Sequence, residues 1–384
     1  MLLTFWLCLG LIIYVYLGYP ILITGLASVR QRPIDVAPIY PTVSLIVSAY
    51  NEEGVIGKKI ENCLSLHYPK ELLEIIVVTD GSTDRTPSIV SAYVNRNRIK
   101  LLHSPLREGK AAAMNRAAAD ARGEILIFSD ANAMYNADSL QMLVRNFNDA
   151  HVGCVNGKKM VYKSQSSIFG SEKTYWNYES HIKLKETQLG STVGVSGEMI
   201  AVRAALFEPV PIRMILDDSF IAMQVLKKNF RVVYEPTAIS YEYSSISTHS
   251  EVMRRQRISA GRFQMLFSAR ELWPWNDKLA IFELVSHKIM RLFLPFFSVG
   301  VFVSSAGLVL SQNTPAIVTM LFVIQLVFCL FAFVGWIFER YGWHVGVLGI
   351  LYYIASGNFA SFRGLMGYSK GRQTVLWEKA HRIE

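Results

Sequence analysis

The amino-acid sequence predicts an α/β fold, a doubly wound sheet set between apolar ends, and three observations carry that prediction. Short apolar runs alternate with helical patterns from Val43 onward. Two of those runs end just before an aspartate, Asp80 and Asp130. The apolar excess is confined to the first 28 residues and to the stretch after about Ile289, while Ala37 to Lys278 has ordinary soluble composition. Alternating strands and helices imply a parallel sheet covered on both faces. Carboxylates past the strand ends mark the edge at which such sheets bind ligands.

Composition narrows the class. With 384 residues, 51% of them hydrophobic, the chain accommodates one large domain plus membrane segments. A formal net charge of +9 is compatible with nucleic acid. No recognition helix, zinc finger or RNA-binding aromatic signature accompanies it, so no nucleic-acid partner is expected. Basic flanks of a membrane protein account for the charge more simply. Cys8, Cys63, Cys154 and Cys329 contain no close-spaced pair, which argues against a disulfide framework and a zinc site.

Met1 to Ala27 carries no charged side chain and is long enough to span a bilayer, so residues 1–28 are read as an uncleaved anchor in membrane lipid. Arg30 and Arg32 follow, which by the positive-inside rule puts the next domain in the cytosol, beneath a plasma or inner membrane. Pro33, Pro38 and Pro41 form a stiff linker into a domain at 37–270. Val43 to Ser48 is its first buried strand, and a helix runs on through about Leu66. Leu73 to Thr79 is a second strand, ending on Asp80-Gly-Ser-Thr-Asp84. Thr86-Pro87 opens a helix as N-cap and first residue. Ile99 to His103 is the third strand, Gly109-Lys110 opens an alanine-rich helix, and Ile125 to Phe128 is the fourth strand.

Toward the C-terminus, Leu272-Trp-Pro-Trp275 reads as an interfacial anchor, giving an interfacial segment at 271–288. Residues 289–384 form a membrane region and basic tail. Ile289 to Leu310 and Ala316 to Phe338 are clear apolar spans. Val345 to Phe362 is a third by hydropathy, whereas Arg363, Lys370, Arg372, Lys379 and Arg382 argue for a cytosolic tail that a third span forbids. The count stays at two or three.

The chemistry gathers around Asp130. A carboxylate past a strand end, followed by Ala131 and the Asn132 amide, can hold a divalent cation against a diphosphate. The bland alternative is an ordinary Asp/Asn turn. No G-x-G-x-x-G follows the first strand and no Walker loop occurs, so the glycine-rich phosphate grips are absent. Asp217 and Asp218 head a helix running to about Asn229, where acids suit the positive end of the dipole with or without a catalytic role. Arg254, Arg255 and Arg257 share a helical stretch and suit either a departing diphosphate or anionic headgroups. Tyr175, Trp176 and Tyr178 suit a sugar acceptor or a membrane interface equally.

Taken in order, Ser48-Ala-Tyr-Asn-Glu52, Val78-Thr-Asp80-Gly-Ser-Thr-Asp84, Glu108-Gly-Lys110 through Asn115, Ser129-Asp130-Ala-Asn132, Val195 to Arg203, Leu216-Asp217-Asp218 and Arg254-Arg-Gln-Arg257 resemble the successive motifs of family-2 glycosyltransferases. The likeness is greatest to membrane-embedded hyaluronan, cellulose and poly-N-acetylglucosamine synthases. It implies a GT-A nucleotide-sugar-binding domain inserted between an N-terminal transmembrane helix and C-terminal transmembrane helices. It also implies an inverting transfer from a UDP-sugar to a growing glycan, with Mg²⁺ or Mn²⁺ as cofactor and polysaccharide export subunits among the partners to be sought. Tyr50, Glu52 and Asp80 match positions that hold base and ribose, and Lys110 lies in a further donor-binding motif. Asp130 and Asn132 stand at the metal motif, Asp218 at the general base with Asp217 beside it, and Arg254 and Arg257 at the element covering the diphosphate. Two departures stand out. Asn132 replaces the second aspartate of D-x-D, and Ile258 replaces the tryptophan of Q-x-x-R-W, which implies short or single additions. A lipid-linked or polyprenyl-phosphate acceptor, or a non-catalytic nucleotide-sugar-binding scaffold, are the alternative readings.

Overall fold

The computed structural model describes residues 1–94, 99–162, 168–243, 248–311, 314–341, 343 and 346–371. The basic tail beyond 371 lies outside the described residues. Strands β1 (Val43–Ala49), β2 (Leu73–Asp80), β3 (Ile99–Ser104) and β4 (Ile125–Asp130) are parallel and adjacent in the order β3-β2-β1-β4. Every residue of β1 is buried, as its unbroken apolar and small composition demands of a central parallel strand. Beyond β4 the sheet continues through β7 (Met199–Arg203), β6 (Val152–Tyr162), β8 (Arg231–Tyr243) and β5 (Met134–Tyr135). There β7 is antiparallel to both β4 and β6, while β8 runs parallel to β6. The sheet is therefore mixed: the doubly wound expectation describes its first four strands and not the second half.

Period-two alternation divides the sheet residues between two cores. Ile46, Ile76, Val78, Phe128 and Ile200 face one side, packed with helices Lys110–Asp120 and Asp217–Lys227. Leu45, Val47, Val77, Ile127 and Ala201 face the other, beneath helices Ile56–Leu64 and Thr86–Val94. The chain leaves β1 toward β2 and β3, then returns to place β4 on the opposite side. The β1/β4 boundary is thus the switch point at which open α/β sheets form their ligand crevice.

Two described helices are long and apolar enough to cross a membrane, Leu2–Val29 and Ala316–Arg340. A third candidate differs from the expected continuous span from Ile289. It breaks at Phe293, where Lys278–Leu292 and Leu294–Leu310 meet at 58°. Pro295, with no N–H to donate, suits the first turn of the second piece. Gly346–Ser369 is a helix lying on the arginine-bearing helix Thr248–Phe267, through Ser259–Ser361 (3.3 Å) and Ser268–Tyr368 (2.6 Å) hydroxyl pairs. The segment 271–288 contributes to the protein core as well: Leu272, Trp273 and Leu284 are buried in it, while Trp275 is exposed.

Candidate active site

The loops after β1 and β2 are fastened to each other. Asn51 adopts a left-handed conformation (φ 52°), its N–H donates to Ser82 Oγ, and its Oδ1 accepts from Thr83 N–H at 2.8 Å. The Glu52 N–H donates to Thr86 Oγ1 at 2.8 Å. The Arg107 guanidinium stacks 3.8 Å from the centre of the Tyr50 ring. Asp80, 1% exposed, accepts from the N–H groups of Glu108 and Gly109, the latter at 2.7 Å. Gly109 has φ 103°, a conformation that side chains disfavour. Asp80 and Gly109 together set the start of helix Lys110–Asp120.

That helix start delivers Lys110 to the crevice. Its ammonium lies 2.6 Å from Asp130 Oδ1 and 3.3 Å from Asp217 Oδ2. Burial alone would lower the Lys110 pKa, but Asp130 and Asp217 outweigh it and hold the ammonium above its ordinary range. Among the described residues Asp217 Oδ2 has no hydrogen bond beyond this ion pair. Gly197 backs onto the same spot: a Cβ there would sit 3.3 Å from Lys110 Nζ and 3.5 Å from Asp218 Cβ. Asp218 keeps some access to solvent. Burial first, then the charge of Asp217, pushes its carboxyl up to about 6, with Lys110 opposing.

The loop after β4 is clamped from helix Ile56–Leu64. Lys59, fully buried, donates to the Ala133 carbonyl and lies 3.8 Å from the centre of the Tyr135 ring. Asn62 pairs with both backbone groups of Tyr135, at 2.8 and 2.9 Å. Asp130 and Asn132 are held between strand and clamp. A hard cation that takes one carboxylate and one amide oxygen here, completing its shell with phosphate oxygens and water, fits this donor set. Among the described residues no group of three or more His, Cys, Asp or Glu could hold a metal by itself.

The arginines divide. Arg257 donates to the Ile215 carbonyl at 3.3 Å, two residues before Asp217, so it stands at the crevice. Arg254 and Arg255 both donate to Glu251, whose buried carboxylate they hold down at about 2 against the effect of burial. Arg255 also stacks on Tyr353, 3.7 Å from the ring centre.

Sequence reasoning missed Lys59, Asn62, Glu251 and a second buried network. Lys59 left a signal, a lysine on the apolar face formed by Ile56, Ile60 and Cys63. In the network, His287 lies 2.6 Å from Glu186 and 3.2 Å from Glu179, and Tyr19 of the first helix donates to Glu186 at 2.6 Å. Arg291 and Lys288 also pair with Glu179. Tyr178 belongs to this face, its hydroxyl donating to the Tyr16 carbonyl at 3.1 Å, whereas Tyr175 and Trp176 pack edge to face. Chain separations of more than 100 residues hid these partners from pattern reading.

Comparison with known proteins supports this architecture. Over 255 residues the chain is 25% identical to the poly-beta-1,6-N-acetyl-D-glucosamine synthase of Staphylococcus epidermidis, covering 64% of this chain and 61% of that protein. Over 280 residues it is 27% identical to the probable glycosyltransferase YdaM of Bacillus subtilis, covering 69% and 65%. The match thus spans less than two thirds of the length of these relatives. Its fold resembles that of the mannosyltransferase PcManGT from Pyrobaculum calidifontis, solved in complex with GDP-Man and Mn²⁺, with a TM-score of 0.72 over 96% of this chain and 99% of that one at 21% identity. Residues 44–210, from β1 to the segment before Asp217, match the glycosyl transferase family 2 model, and the mixed sheet is GT-A-like.

Proposed function

We propose that this protein is a membrane-bound inverting glycosyltransferase that moves a sugar from a nucleoside diphosphate donor, UDP first among them, onto a growing glycan. The observation that supports this most is the Lys110 ammonium, 2.6 Å from Asp130 and 3.3 Å from Asp217 at the end of the crevice where Asp218 stands, with burial and Asp217 pushing the Asp218 carboxyl up to about 6. A base titrating near there is unprotonated at neutral pH and still takes a proton from an acceptor hydroxyl as that oxygen attacks the anomeric carbon. Lys110 and Arg257 stand where negative charge leaves with the diphosphate. Mg²⁺ or Mn²⁺ held by Asp130 and Asn132 would supply further positive charge to that leaving group. Tyr50, Glu52 and Asp80 line the donor end, Asp80 acting by fixing the loop of Glu108 and Gly109. The naming of a relative as a polysaccharide synthase favours a glycan acceptor. Arg30 and Arg32 favour a cytosolic domain, which labelling of Ser88→Cys from either side of the membrane tests.

The test is release of nucleoside diphosphate by the full chain in detergent, with a panel of UDP- and GDP-sugars including GDP-mannose, with Mn²⁺ or EDTA. Metal-dependent release from one UDP-sugar is expected. Absence of release from every donor would overturn the proposal, and release from GDP-mannose alone would overturn the choice of nucleoside.

A further inference from the structure

Glu198 is 6% exposed, and its Oε1 is a buried oxygen without a hydrogen-bond partner among the described residues. The backbone around it is rigidly held. Tyr135 donates its hydroxyl to the Glu198 carbonyl at 2.8 Å, and Asn156 Nδ2 donates to the carbonyls of Ser196 and Met199, both at 2.8 Å. The β4–β7 register pairs Ser129 with Met199, so one further step sets Asp130 opposite Glu198. The preceding Gly197 backs onto Lys110 and Asp218.

The Glu198 carboxylate also acts on Asp218, Lys159 and Lys183. It adds to the rise at Asp218, and it opposes the burial that lowers Lys183. With Glu242 it outweighs burial at Lys159. Both lysines are engaged elsewhere, Lys159 with Glu242 at 2.6 Å and Lys183 with Asn156 Oδ1 at 3.1 Å. Lys159 Nζ lies 5.1 Å from the centre of the Trp176 ring, and the Trp176 indole N–H is itself buried without a partner among the described residues. Glu198, which also acts on Asp218, and the Trp176 ring thus both bear on Lys159, and of their orphaned atoms the carboxylate oxygen can only accept while the indole N–H can only donate.

A buried polar atom without a partner is costly, and more so when charged. A sugar meets both needs at once: a hydroxyl donates to Glu198, an oxygen accepts from the indole, and the C–H face of the ring lies on the aromatic surface. A phosphate dianion brings no donor and meets like charge. We propose that Glu198 and Trp176 form the acceptor subsite for a hydroxyl-bearing sugar residue, which makes the acceptor a glycan end and not a lipid phosphate. The proposal rests on Asp218 being the base.

The experiment is calorimetric binding to the full chain in detergent, using trisaccharides of glucose, N-acetylglucosamine and mannose, with farnesyl phosphate as the phosphate-bearing comparator. One trisaccharide binds the wild type more tightly than farnesyl phosphate. Glu198→Ala weakens that binding tenfold or more and leaves farnesyl phosphate no weaker. Glu198→Gln, whose amide oxygen still accepts, loses less, and Trp176→Phe loses the indole donor while keeping a ring. Among the described residues the Glu198 side chain makes no hydrogen bond, and the thermal midpoint of each variant, read beside binding, separates loss of the subsite from loss of the fold. Absence of trisaccharide binding to the wild type, or equal binding by Glu198→Ala, overturns the subsite, as does tightest binding of farnesyl phosphate. Binding is read without turnover. A chain that held a trisaccharide through Glu198 but transferred nothing would contradict the proposed activity and leave the subsite standing.

Discussion

The Lys110 ammonium lies 2.6 Å from Asp130 Oδ1, joining the first residue of one helix to the last residue of strand β4. The same ammonium reaches Asp217 at 3.3 Å, so a single cation ties the strand-end carboxylate to the acidic pair heading another helix. With the lysine removed, two carboxylates and Asp218 face each other uncompensated.

Lys110→Met therefore carries a prediction in pH as well as rate. Lys110 opposes the rise of the Asp218 carboxyl, so its loss moves the acidic limb of the pH–rate profile above about 6. Turnover falls by ~10²–10³, the usual cost of removing one preorganised donor from a site of developing negative charge. A pH profile of nucleoside diphosphate release checks both parts, and an unmoved acidic limb would contradict the assignment.

Lys59 acts at one remove. It holds the Ala133 carbonyl behind Asp130 and Asn132, and its burial lowers its own pKa. Lys59→Met keeps the volume and removes the donor. UDP affinity in the presence of Mn²⁺ is expected to drop by about tenfold, in line with what loss of outer-shell support costs a metal site. Metal-free affinity should stay unchanged, and titration of UDP with and without Mn²⁺ separates the two.

Glu251 carries a stability prediction. Its carboxyl is depressed from the ordinary 4.5 to about 2, burial being outweighed by Arg254 and Arg255. A depressed carboxylate contributes stability that is fully present above 4.5 and is lost as pH falls toward 2. The shift corresponds to stabilisation on the order of 3 kcal/mol. Glu251→Gln should lower the thermal midpoint at neutral pH, and the difference from wild type should shrink between pH 4.5 and 2. A constant difference across that window would contradict the ion pair's role.

What was legible in the sequence followed from local pattern. The apolar runs of β1, β2 and β4 and the carboxylates at their ends are read from a few adjacent residues, and parallel strands buried on both faces leave that signature. The reversed strand β7 was hidden because its short run, Met199–Arg203, looks the same whichever way it is paired. The break at Phe293 was hidden because hydropathy does not register a bend. Asp130 was named from its position past a strand end and Asp218 as the base from the family resemblance, but the lysine that ties Asp130 to the acidic pair was named without its partners. Lys59 and Asn62 act through contacts more than 70 residues away, where spacing along the chain carries little information. Glu251 instead pairs with Arg254 and Arg255 three and four residues on, a helical spacing that was there to be read.

In the proposed division of roles Asp130 acts through the cation and Asp218 through the proton. The most direct test measures UDP affinity with and without Mn²⁺, beside turnover, in Asp130→Asn and Asp218→Asn. Asp218→Asn keeps shape and hydrogen bonding but cannot accept a proton, so UDP and metal should bind as in the wild type while turnover falls by ~10²–10⁴. Asp130→Asn should lose the metal-dependent part of UDP binding. Near-normal turnover by Asp218→Asn would contradict the account, and equal loss of UDP binding in both variants would contradict the division of roles.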